Sequence, residues 1–167
     1  YLFNAPLVHW DAYGLDVDWG GTPAFPNPFK DYPPSLGNCW RHACNDPMKR
    51  NEPHGRNPPG WGNVRSCADL MKAIKDSGAG VDIPESGKCP NGTNKVAVQF
   101  GENVQRGSDP RDFHFARQRP DGSWCEKRGT YPEKKTPREP SPLPGYKHCG
   151  YLCIKDGYDT DSGKLGR

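Results

Sequence analysis

Apolar residues are sparse along this chain, and the spacing between them changes character part-way. Val64, Cys67, Leu70, Met71 and Ile74 recur at intervals of three and four, which predicts a helix with one buried stripe. Lys72 and Lys75 lie toward its end and Gly78 follows as a C-cap. A shorter helix is expected over Asn38 to Asp46, opened by Asn38 as N-cap and closed before Pro47. Further on the period falls to two. Lys95-Val96-Ala97-Val98-Gln99-Phe100 reads as a strand, and Asp112 to Gln118 alternates, with Phe113 and Phe115 on one face and His114 and Ala116 on the other. Pro120-Asp121-Gly122-Ser123 predicts a hairpin turn, because Asp-Gly accepts the positive φ that tight turns need. Ser123 to Lys127 then returns as the partner strand. With Asp121-Gly122 at the turn centre, Gln118 faces Cys125, Arg117 faces Glu126, and His114 lies opposite Gly129. Tyr146 to Ile154 gives a last strand. Helices followed by a small antiparallel sheet make an α+β layout. One domain is expected, with a Pro- and Gly-rich arm over residues 1–37, a body over 38–154 and a tail over 155–167.

Composition makes the core thin. Only 32% of the 167 residues are hydrophobic, and 20 Gly with 19 Pro leave much of the chain in loops. Five Trp, seven Tyr and six Phe nonetheless argue for a folded chain, since disordered segments are poor in aromatics. Disulfides are the natural staple for such a molecule. The seven cysteines are an odd number, so in an oxidising compartment at least one sulfur stays free or pairs with another chain. The chain opens at Tyr1 with no initiator Met and no apolar leader, as expected of a mature secreted protein. Asn91-Gly92-Thr93 is an N-glycosylation sequon. No apolar run approaches the roughly 20 residues that span a bilayer. A net charge of +3 is too mild to call for a polyanionic partner such as nucleic acid. The expectation is an extracellular monomer.

Among the candidate chemistry, Cys39 stands out. It directly follows a helix-capping Asn, and the unsatisfied N–H groups of a helix start favour a thiolate. His114, on a strand, supplies an imidazole held more rigidly than one on a loop. A third polar group usually orients such a ring. Glu126 reaches His114 by a diagonal or bulged approach across the hairpin, and Asp112 lies two residues before His114 on the same strand face, so both carboxylates are candidates. The competing reading pairs Cys39 with Cys44 or another cysteine and leaves His114 a buried strand residue. No metal-ligand spacing is present: His9-Trp10-Asp11 and Tyr146-Lys147-His148-Cys149 lack any such pattern, and no metal or cofactor is expected.

Asn38-Cys39-Trp40-Arg41-His42-Ala43 resembles the Asn-Cys-Tyr-x-Tyr-Ala signature of small secreted proteins of bacteria and fungi. Lys95-Val96-Ala97-Val98, the stretch from Asp112 through Trp124, and Cys149-Gly150-Tyr151-Leu152-Cys153 are similar to further segments of those proteins. The resemblance covers roughly residues 38 to 154. More loosely, the layout resembles papain-like amidases and peptidases of the NlpC/P60 type, with Cys39, His114 and Glu126 in the places of nucleophile, base and orienter. The resemblance departs at Cys125-Glu126, where those secreted proteins carry Ser-His. It implies a secreted cysteine peptidase or amidase acting on a peptide or other amide. In that reaction the Cys39 backbone N–H and a nearby side-chain donor hold the oxyanion, with Asn38 the candidate for the second donor. With Cys39 free, the favoured pairing of the other six sulfurs is Cys67 with Cys89, Cys44 with Cys125 and Cys149 with Cys153. Two other functions compete. One is a non-catalytic toxin or surface-binding protein using Trp10, Trp19, Trp40, Trp61 and Trp124 as a platform. The other is an extracellular ribonuclease using His42 or His114 with Glu102 or Glu126.

Overall fold

The computed structural model describes residues 38–46, 56–104, 109–129 and 131–160. It also gives the backbone of three short strands, β1 (Leu15–Val17), β2 (Pro23–Pro26) and β10 (Lys164–Leu165). The rest of the expected N-terminal arm, with Trp10 and Trp19, lies outside the described residues, as does His9.

Helix α1 (Cys39–Ala43) is a single short turn-and-a-half, ending earlier than the sequence pattern suggested. Asn38 caps it as expected: its side chain accepts the Arg41 N–H. Helix α2 (Cys67–Asp76) follows a 3-10 turn at Trp61–Asn63 and is capped by Ser66, whose hydroxyl accepts the Asp69 N–H. Its stripe points inward through Leu70 and Ile74, both fully buried. Gly78 follows at φ +75°, the left-handed conformation that glycine adopts without steric cost.

The remaining strands are β3 (Gly80–Ile83), β4 (Thr93–Gly101), β5 (Asp112–Gln118), β6 (Trp124–Glu126), β7 (Lys134–Thr136), β8 (Tyr146–Lys155) and β9 (Tyr158–Asp159). Six of them form one antiparallel sheet in the order β3-β8-β4-β5-β6-β7. Two helices with an antiparallel sheet make the α+β architecture. The short edge strands β3 and β7 lie outside the elements predicted from the sequence, because three or four half-exposed residues carry no alternation.

Each face of the sheet has its own cluster. Val96, Val98, Phe100, Phe113, Phe115, Leu152 and Ile154 face the helices and pack with Trp40, Leu70 and Ile74. Trp40 lies 5.1 Å from Phe115 and 6.3 Å from Tyr158, ring to ring, so α1 is fixed both to β5 and to the C-terminal strand β9. On the reverse face Ala97, Ala116 and Trp124 form a smaller cluster covered by Tyr151.

Two disulfides hold the fold, Cys67–Cys149 and Cys89–Cys153, leaving Cys39, Cys44 and Cys125 as buried free thiols. The expected pairings are therefore wrong, and geometry says why. Cys149 and Cys153 sit four residues apart on β8, about 13 Å along a strand, well beyond disulfide reach. A β-bulge between them separates their directions further. Ala97 pairs with Tyr151 and Val98 with Gly150, but Gln99 pairs with His148, so Cys149 is the extra residue. Cys149 thereby meets α2 on the helix side, while Cys153 faces the loop that carries Cys89. Two disulfides fit an oxidising compartment. Asn91 is exposed in the turn before β4. Among the described residues, no helix is long and apolar enough to cross a membrane.

Candidate active site

The site is assembled where α1 meets β5. β6 pairs with β5 only from Ala116 to Gln118, and Cys39 lies against β5 just past that point. Its thiol donates to the Phe113 carbonyl at 3.6 Å, one residue before His114. Cys39, His114, Asn38, Asp112, Arg128 and Tyr146 line one small cleft. The nucleophile and base candidates, 75 residues apart in sequence, thus open onto the same space.

How Glu126 reaches His114 depends on the hairpin. The Arg119 N–H donates to the Ser123 carbonyl and the Gly122 N–H to the Arg119 carbonyl, with Gly122 at φ +80°. The loop is therefore three residues, Pro120-Asp121-Gly122, with glycine in the left-handed position, rather than the two-residue turn expected. That one added residue shifts the register: Gln118 pairs with Trp124, Arg117 with Cys125 and Ala116 with Glu126. Because side chains alternate, the shift moves Glu126 onto the face of His114 and Cys125 onto the face of α1. Glu126 then makes the diagonal approach, its Oε2 lying 2.8 Å from His114 Nε2. Its other oxygen, Oε1, accepts from Arg128 Nε at 3.1 Å and from a terminal guanidinium nitrogen at 2.8 Å. Both His114 and Glu126 are almost completely buried. Burial alone would raise the Glu126 carboxyl, but His114 and Arg128 outweigh it and hold the group below the usual glutamate range.

The second ring nitrogen of His114, Nδ1, makes no hydrogen bond among the described residues. Gln99 stands directly across from His114 on β4, and its Oε1 accepts the Leu143 N–H at 3.1 Å. That bond brings the Pro-rich segment before β8 down to form one wall of the cleft. Asp112 is placed differently from Glu126. It accepts from the Tyr146 hydroxyl and from the Phe113 N–H, and the carboxylate that holds the His114 ring is Glu126.

The Cys39 thiol is pushed up to about 12, first by burial and then by the neighbouring Asp112 carboxylate. The N–H groups of Phe115, Cys39 and Trp40 oppose this without overcoming it. Cys39 therefore rests as a neutral thiol. Asn38, besides capping α1, donates from Nδ2 to the Arg56 carbonyl at 2.8 Å, so its amide is held fixed at the mouth of the cleft.

A second cluster lies behind the first. His42, Cys125 and Glu133 offer ligand-type atoms within 4.8 Å of one another. Neither this group nor the role of Arg128 was visible in the sequence, because each depends on where the register shift sends Cys125 and Glu126. His42, assigned above to a ribonuclease site, is fully buried, and Glu102 is paired with Lys147 at 3.2 Å on the surface. Trp40 and Trp124 are buried, and Trp61 stacks edge-on to Phe113 at 4.9 Å. Trp40 and Trp124 are core residues and Trp61 is half-buried against that core, and Val81 and Tyr131 are the large apolar side chains exposed among the described residues.

No protein family, curated protein or solved structure matches the chain.

One prediction follows from the His114–Glu126–Arg128 arrangement alone. Since the Glu126 carboxyl is held low in the folded protein, its stabilising effect is fully present above the unfolded glutamate pKa of about 4.3. It is lost as pH falls through the lower folded value. Glu126→Gln is expected to flatten the acid limb of stability against pH, measured by urea unfolding across that range. An acid limb unchanged by the substitution contradicts the pairing.

Proposed function

We propose that the protein is a secreted cysteine hydrolase that cleaves amide bonds, with Cys39 as nucleophile, His114 as general base and acid, and Glu126 as the residue that orients the imidazole. The observation that carries this reading is the single cleft lined by a helix-start thiol and a strand-borne histidine whose far nitrogen is clamped by a buried carboxylate. A papain-like relationship is part of the same proposal, supported by the placement of thiol, imidazole and carboxylate on helix start, strand and adjacent strand.

The chemistry begins from a neutral thiol. As a substrate carbonyl enters, Cys39 passes its proton to His114 Nδ1 while Sγ bonds to the carbonyl carbon. Glu126, kept ionised by Arg128, stabilises the imidazolium through Nε2. The negative oxygen of the tetrahedral intermediate is met by the Cys39 backbone N–H and by the remaining Nδ2 hydrogen of Asn38. His114 then returns the proton to the departing amine, leaving a thioester on Cys39. Water, deprotonated by His114, attacks that thioester, and the S–C bond breaks to release the acid while His114 returns the proton to the Cys39 sulfur. Tyr146 fixes the Asp112 carboxylate at the cleft, where its charge favours substrates with a cationic or hydrogen-bond-donating group near the scissile amide.

Iodoacetamide without reductant, followed by peptide mass mapping, tests the assignment. Cys39 is expected to be alkylated to one equivalent before Cys44 or Cys125, and His114→Ala is expected to slow it. Alkylation of Cys44 or Cys125 first, or a rate indifferent to His114, removes the nucleophile from position 39.

A further inference from the structure

His42, Cys125 and Glu133 meet on the far side of the elements that build the cleft. His42 lies on α1, three residues after Cys39 and on the same short helix. Cys125 lies on β6 immediately before Glu126, and the alternation of the strand sends the two side chains to opposite faces. The helix and the strand thus each contribute to two cysteine–histidine–glutamate sets, Cys39 and His42 from α1 and Glu126 and Cys125 from β6, one set opening on the cleft and one enclosed. His42 and Cys125 are both fully buried.

The charges around the enclosed set alternate. Arg119 meets Glu133 Oε1 at 2.5 Å, and Glu133 Oε2 lies 3.6 Å from His42 Nε2. A ring nitrogen of His42 in turn lies within 4.8 Å of Cys125 Sγ, and Arg117, directly across from Cys125 in the strand register, faces the sulfur. As a thiol, Cys125 donates weakly to the Arg117 carbonyl at 3.5 Å, a contact that ionisation of the sulfur gives up. Two guanidinium groups beside three ligand-type atoms oppose a divalent cation, but they complement a thiolate and a carboxylate flanking an imidazolium. Burial would raise the Cys125 thiol and lower His42. The partners outweigh it in both cases, holding Cys125 below and His42 above their ordinary values. Glu133, also opposed by burial, is held well below the carboxylate range by His42 and Arg119.

We propose that Cys125, His42 and Glu133 form a buried thiolate–imidazolium–carboxylate array that locks α1 to β6 and thereby positions Cys39 against His114. This rests on the reading of Cys39 as nucleophile. Cys125 and His42 are then positioning residues: they touch no substrate, but they fix the distance between the helix that carries the attacking sulfur and the strand that carries the orienting carboxylate. Small displacements at that junction cost about 10–100-fold in rate.

Two measurements separate this from the nucleophile assignment. The first is the ultraviolet thiolate absorbance of Cys39→Ser protein, which has no nucleophile to lose. One thiolate is expected to persist below the ordinary thiol pKa of about 8.5, and to vanish on adding His42→Gln or Cys125→Ser. Absence of that signal, or one equivalent of zinc co-purifying with the protein and lost with Cys125→Ser, overturns the array whether or not the protein is an enzyme. The second is His42→Gln in protein with Cys39 intact. It is expected to lower kcat by about 10–100-fold at unchanged KM and to slow alkylation of Cys39. Unchanged kcat and alkylation rate overturn the positioning role, and His42→Gln protein that fails to fold is replaced by Cys125→Ser read in the same two ways.

Discussion

Cys39→Ser and His114→Ala are each expected to reduce amide hydrolysis by about 10⁴-fold or more, and the double variant to be little worse than either single one. The non-additivity follows from the roles. Without the imidazole the buried thiol keeps its proton, and without the sulfur the imidazole has no proton to take. The fold should survive both changes. Serine can still donate to the Phe113 carbonyl, and in His114→Ala the Glu126 carboxylate keeps both contacts to Arg128. Losses of about 1–3 kcal/mol in urea unfolding are expected, typical of removing one hydrogen-bonded group from a packed site. Activity that survives Cys39→Ser defeats the mechanism. A variant that loses activity only because it no longer folds makes Cys39 a core residue instead.

That prediction could be drafted from the sequence, and its two key residues came from different kinds of signal. Cys39 was legible through its neighbour, since Asn38 caps a helix by a local rule that needs no tertiary information. His114 was legible through period, because Phe113 and Phe115 bracket it and force it onto the opposite face. Glu126 was named but placed in the wrong register. The difference is whether the turn holds two residues or three, and both choices satisfy the same Asp-Gly preference. The partner of His114 therefore became certain only once Arg119 and Ser123 were seen to close the loop.

What the sequence concealed was concealed for a common reason. Arg128 reads as a surface charge two residues past the strand, and its meaning appears only when the Glu126 carboxylate turns inward. Glu133 sits in a Pro-rich segment that carries no periodicity, and His42 would be an ordinary helix residue without Cys125 opposite. Glu133 and His42 belong to a pairing between distant segments, and the pairing of Arg128 with Glu126, though local, depends on a register set by the hairpin. The resting state of Cys39 belongs here too. A helix start lowers a thiol's pKa, but complete burial and the Asp112 carboxylate raise it by more. Desolvation beats the helix end here because α1 is barely more than one turn long and its dipole is correspondingly weak.

Cysteine connectivity shows the same dependence on register, and it yields the largest stability effect expected for this protein. Cys67–Cys149 closes a separation of 82 residues and Cys89–Cys153 one of 64, so each cross-link is expected to contribute about 4 kcal/mol by restricting the unfolded chain. Removing both by serine substitution subtracts about 8 kcal/mol from a total that for a domain of this kind is of order 5–15 kcal/mol. With so few apolar residues to compensate, the quadruple variant is expected to be largely unfolded at room temperature by circular dichroism. The two single-bridge variants should differ in what they release. Cys67→Ser with Cys149→Ser frees α2 from β8, and because Leu70 and Ile74 belong to the core, the loss should spread to the α1–β5 junction and lower activity. Cys89→Ser with Cys153→Ser frees only the segment leading into β4 and should leave the cleft intact while lowering the urea midpoint. Stability unchanged within about 1 kcal/mol in either variant contradicts the connectivity, as does a non-reduced peptide map that joins Cys149 to Cys153. Such a map would also require the bulge at Cys149 to be absent, and with it the turn of that sulfur toward α2.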